Sequence, residues 1–74
     1  MESRYIRLKV YPTTLIIYIM NGMRITLERR IDLVDLKERD KRFITNFMHF
    51  YRDLEIRTNW EDLQYIRSIG IRIW

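Results

Sequence analysis

The sequence predicts an α+β fold: a three-stranded antiparallel β-meander, then two α-helices and a short C-terminal strand (β-β-β-α-α-β), in one domain spanning residues 1–74. Three observations carry this. "RYIRLKVY" alternates apolar and polar residues, an Asn21-Gly22 pair separates two β-prone runs, and beyond Asp32 the apolar period changes from two to the spacing of a helix.

In the first strand Ile6, Leu8 and Val10 fall on one side, with Tyr5, Arg7, Lys9 and Tyr11 on the other. Pro12-Thr13 then breaks the run, because proline lacks the N–H that a continuing ladder needs. "TLIIYIM" and "MRITLER" are the second and third strands. Asn-Gly between them tolerates the positive φ angles of a type I′ hairpin turn. A two-residue turn there pairs Met20 with Met23, Tyr18 with Ile25 and Ile16 with Leu27 on one face. If Tyr11-Pro12-Thr13 forms an odd loop, Ile6, Leu8 and Val10 join that face and make it apolar throughout, as a core requires.

"LKERDKR" is a run of alternating charge. In "FITNFMHFYRDL" Phe43, Phe47, Phe50 and Leu54 form one helical stripe, with Ile44, Met48 and Tyr51 beside it and Arg42, Asn46, His49 and Asp53 opposite. Asp40 is the expected cap, with an extension back to Leu33 as the alternative. "EIRTN" reads as a loop. Asn59 can cap a second helix with Asp62 three residues on, Trp60, Leu63, Ile66 and Ile69 give its buried side, and Gly70 suits a left-handed stop. "IRIW" is then a last strand, or a tail that packs Trp74 on the sheet.

A chain of 74 residues leaves no room for a second core. Domains this small bury only about 60% of their unfolded surface. With no cysteine to staple it and 47% hydrophobic residues, the chain is expected to fold and to favour a homo-oligomer or a bound partner. The net charge of +4 and a pI of about 9.8 suit an anionic partner, although ten acidic residues are interleaved with the fourteen basic ones. Lys9, Lys37 and Lys41 are the only lysines; the remaining cations are arginines, whose planar fork suits carboxylates, phosphates and aromatic faces. The absence of alanine and the abundance of isoleucine are expected of a small phage, virus or plasmid gene. No run approaches the roughly 18 apolar residues of a membrane span, and no signal-peptide pattern occurs, so an intracellular, cytoplasmic location is expected (the host cell, if the gene is viral).

Enzymatic chemistry is not expected. His49 is the single histidine and falls on the polar side of its helix, while Ser3, Ser68 and the threonines have no evident partnering base. Asp32, Asp35 and Glu38 recur at a spacing of three, but Lys37, Arg39, Lys41 and Arg42 stand ready to pair with them, so no metal site is expected. Gly22 and Gly70 are isolated and make no phosphate loop, and no cofactor is implied. A helix-turn-helix reader fits poorly, since Glu61 and Asp62 open the exposed side of the second helix.

The outer sheet face is the informative surface. In the register above it displays Tyr5, Arg7 and Lys9, then Leu15, Ile17 and Ile19, then Arg24, Thr26 and Glu28. Unless the helices straddle the sheet, an aliphatic stripe rimmed by polar groups points to a protein interface. Tyr5, Arg7, Ile17, Ile19 and Arg24 are the expected anchors of a protein partner or a second copy, as in a small accessory, inhibitory or regulatory protein. The alternative is a nucleic-acid-binding regulator using Arg7, Lys9, Arg24, Arg29 and Arg30. It ranks second because isoleucines, which cannot stack on bases, occupy the middle of the predicted face.

Overall fold

Alternation, turn residues and caps translate into six elements in a computed structural model that describes residues 3–73. These are β1 (Arg4–Val10), β2 (Thr14–Asn21), β3 (Arg24–Asp32), α1 (Glu38–Phe50), β4 (Glu55–Arg57) and α2 (Trp60–Ser68). The expected α+β class holds, with an antiparallel meander, two helices and a fourth strand. The sheet order is β3-β2-β1-β4, and β4 runs parallel to β1. The chain leaves the β3 edge after Asp32 and, through α1, reaches the opposite edge.

The fourth strand lies between the helices, inside the stretch read as a loop, and not at Ile71–Ile73. Three residues are too few to show a period, yet pairing of Ile6 with Ile56 brings Ile56 against the core. Ile71 and Ile73 are buried without joining the sheet. Trp74 lies outside the described residues.

The sheet faces are the reverse of the expected ones along β2. The first hairpin is even: Val10 pairs with Leu15, and the Tyr11 N–H donates to the Thr14 carbonyl at 2.9 Å. Ile6, Leu8 and Val10 therefore share a face with Leu15, Ile17 and Ile19. In the second hairpin the central residues are Gly22 and Met23, so that Asn21 pairs with Arg24 and Met20 with Ile25. Gly22 adopts φ 63° while Met23 keeps a negative φ, the pattern of a type II′ turn with glycine first. Met23, placed at the tip, is 97% exposed.

A bulge then repairs the pattern. Pairing shifts between Ile19 and Met20, leaving Thr26 as the extra residue, and the Thr26 hydroxyl donates to the Ile19 carbonyl at 3.0 Å. Beyond it Ile19 faces Leu27, Ile17 faces Arg29 and Leu15 faces Ile31. An even loop mixes polar and apolar residues only if the next ladder is regular. Here the additional residue returns Leu27 and Ile31 to the apolar side.

Ile6, Leu8, Leu15, Ile17, Ile19 and Ile31 form one buried cluster with Ile44 and Met48 of α1, Ile66 of α2, and Leu33, Ile71 and Ile73. Both helices thus pack on a single face. The α1 stripe is turned from its expected aim: Ile44 and Met48 meet the sheet, while Phe50 remains 75% exposed. Its N-cap is Lys37, and Asp40 sits at the third helical position, where its carboxylate accepts the Lys37 N–H at 3.1 Å.

The second helix follows its local signals. The Asn59 side chain accepts the Asp62 N–H at 2.7 Å. Trp60, in the first turn and expected to be buried, is 69% exposed. At the other end Gly70 has φ 89°, and the N–H groups of Gly70 and Ile71 donate to Arg67 and Ile66. An added Cβ at Gly70 would come no nearer than 3.9 Å to Lys41 Nζ, so its cost is that of the backbone alone. Gly70→Ala should cost about 1 kcal/mol, and calorimetry should show a midpoint about 4–8 °C lower.

Candidate binding face on the open side of the sheet

With both helices on one side, the other face of the sheet stays open. Its side chains follow from the register. One row across the strands is Glu28, Tyr18, Arg7 and Arg57; its neighbours are Ile25, Met20, Tyr5 and Glu55 on one side and Arg30, Ile16 and Lys9 on the other. Arg7, Lys9, Arg30 and Arg57 are exposed, and Tyr5 and Tyr18 are half-buried.

The electrostatics of this face are uneven. Arg30 pairs with Glu28 at 2.9 Å and Arg57 with Glu55 at 3.3 Å, both in solvent, where such pairs are weak. Arg7 and Lys9 make no salt bridge among the described residues. Arg57 lies beside Arg7 in the parallel pairing and also stacks its guanidinium 4.0 Å from the Tyr5 ring centre. Lys9 Nζ stands 5.5 Å from the Tyr11 ring centre. A cleft of about 350 Å³ opens here, lined by Tyr5, Arg7, Lys9, Arg57, Asn59 and Asp62. Asp62 is tied into the fold: its carboxylate accepts the Val10 N–H at 3.2 Å and so links α2 to β1.

Of the residues singled out from sequence, Tyr5, Arg7 and Lys9 lie on this face as expected, and Arg30 joins them. Ile17 and Ile19 do not: they are 0% and 2% exposed in the core beneath the helices and cannot anchor a partner. Arg24 is exposed but pairs with Asn21, on the face of Ile17 and Ile19, and turns to the helix side with them because the first hairpin is even. Arg29 pairs with Ile17 and stands at the uncovered margin of the helix side. Tyr18 and Arg57 are the residues that sequence reasoning missed. Tyr18 shares its parity with Ile16 and Met20, a signal that the assumed register turned inward, and Arg57 reaches the face only through β4.

Elsewhere, His49 is exposed on α1, near Thr45 and Arg67. A strand separates the two helices, so they do not form a helix-turn-helix pair. Among the described residues no group of three or more histidine, aspartate or glutamate side chains is placed to hold a metal ion, and no helix is long and apolar enough to cross a membrane. Comparison with protein-family models, curated proteins and solved structures gives no match.

The arrangement offers two kinds of contact at once. Two half-buried tyrosines lie in the central strands, the Tyr5 ring covered on one side by Arg57, and exposed cations stand around them. Ile16 and Met20, buried on this same face, give Tyr18 apolar neighbours on its own strand.

Proposed function

We propose that the protein binds single-stranded nucleic acid on the open face of its sheet. The observation that supports this is the gathering of Arg7, Lys9 and Arg57 around Tyr5 and Tyr18, with Arg7 and Lys9 free of salt bridges among the described residues. A base stacks on Tyr18 while neighbouring phosphates meet Arg7, Lys9 and Arg57. Unpaired strands fit because their bases can splay onto a side chain, whereas a duplex keeps its bases stacked inside. Protein docking on this face drew its support from an aliphatic stripe whose residues belong to the core.

Fluorescence anisotropy with a labelled single strand and the matching duplex, over a range of salt, tests the proposal. Three cation–phosphate contacts at about 0.7 each give a slope of log K against log salt near about −2 for the single strand. Tyr18→Ala should weaken binding by about 1–3 kcal/mol and leave that slope unchanged, since stacking releases no counterions. Undiminished affinity in Tyr18→Ala, or a preference for duplex, would sink the proposal.

A further inference from the structure

At the far edge of the sheet, β3 is a nine-residue strand paired only with β2. An open edge presents unpaired N–H and C=O groups that can template pairing with another chain. The opposite edge strand, β4, has three residues. On the helix side of β3, Leu27 is only partly covered and lines a groove of about 350 Å³ with Arg29, Phe43, Phe47 and Phe50. Phe43 is 41% exposed, and its ring lies 5.9 Å from that of Phe47. An unpaired strand edge and an exposed aromatic ridge thus lie side by side.

We infer that this edge joins a second copy of the same chain, β3 pairing antiparallel with the partner's β3 about a two-fold axis at Arg29. Strand length, the bulge and the charge pattern together favour that register. Centred on Arg29, it sets Glu28 opposite the partner's Arg30 and Leu27 opposite the partner's Ile31, each pair occurring twice. Centring on Glu28 places that acid against itself and draws the bulged Thr26 into the ladder, centring on Arg30 sets Glu28 against the partner's Asp32, and centring on Ile31 leaves only three strand residues paired. The first two bring like charges face to face, which destabilises a ladder. The one like pair in the favoured register is Arg29 with its own counterpart. Both copies of Arg29 stand beside the aromatic groove, where a guanidinium can lie on a ring. Because the axis is perpendicular to the sheet, the two α1 helices fall on the same side and their phenylalanines meet above the new ladder. The two open faces become one continuous surface of eight strands. Self-association follows from β3 and α1 alone and does not depend on the proposed ligand of the open face.

A charge swap provides the test. Sedimentation equilibrium without nucleic acid, up to about 100 µM, should show the unmodified chain passing from 9.3 kDa to twice that mass. Glu28→Arg and Arg30→Glu each turn both cross-dyad pairs repulsive and should weaken association at least about tenfold. Both sites are exposed, and circular dichroism should show each variant folded. Mixing the two variants restores opposite charges at both pairs, so an equimolar mixture should dimerise where neither variant does alone. A strictly monomeric unmodified chain, variants that dimerise as well as it does, or a mixture that stays monomeric would each overturn the inference.

Discussion

Ile17→Asp should abolish the folded state, whereas Ile25→Asp should be nearly silent. Ile17 is fully buried, with Leu8 and Arg29 as its pairing partners and the helices packed on its side of the sheet. Truncating such a side chain to alanine costs about 2–5 kcal/mol, and an aspartate adds an unpaired carboxylate in an apolar site. A domain of this length holds only about 4–11 kcal/mol in total, at 0.05–0.15 kcal/mol per residue. Ile25 is exposed on the open face, where a polar replacement shifts stability by within about 0.5 kcal/mol. Thermal unfolding followed by circular dichroism should show no cooperative transition for Ile17→Asp and an almost unchanged one for Ile25→Asp. The reverse outcome would restore the regular hairpin register, in which Ile25 is core and Ile17 faces outward.

That contrast marks the boundary of what the sequence makes legible. Features set by a few neighbouring residues can be read directly: the alternation of β1, the Asn59 cap, the left-handed stop at Gly70, and the change of period after Asp32. Facing is not of this kind. From Leu15 to Met20 every residue of β2 is aliphatic or aromatic, so the two faces of that strand differ little in polarity and period two does not choose between them. The choice rests on the even connection from Val10 to Leu15 and on the bulge at Thr26. The first turns Leu15, Ile17 and Ile19 to the side of Ile6 and Leu8, and the second returns Leu27 and Ile31 to that side, so the helix side stays apolar. In α1 the apolar arc is wider than the contact. Ile44 and Met48 fill the space above the sheet, and the phenylalanines beside them remain at the rim. The candidate site divides in the same way. Tyr5, Arg7 and Lys9 are visible because β1 alternates without ambiguity, while Tyr18 depends on the unreadable register and Arg57 on a strand too short to have a pattern.

Reversing charge at the centre of the open face should have the largest effect on binding. Arg7 and Lys9 are exposed and make no salt bridge among the described residues, so Arg7→Glu with Lys9→Glu should leave the fold intact. Loss of two phosphate contacts removes about 1.4 from the salt slope. Near 0.15 M salt that loss alone weakens binding about tenfold, and replacing attraction by repulsion brings the deficit to about a hundredfold. The double change also lowers the net charge from +4 to zero, since each substitution removes two units, and a general loss of basicity could mimic loss of a site. Arg39→Glu with Arg42→Glu supplies the control. It makes the same change in net charge on exposed positions of α1, away from the open sheet face, and should retain affinity to within a few-fold. Equal losses in the two double variants would show that overall charge governs binding and that the sheet face has no special part. A loss confined to Arg7 and Lys9 cannot come from net charge, because both variants carry none.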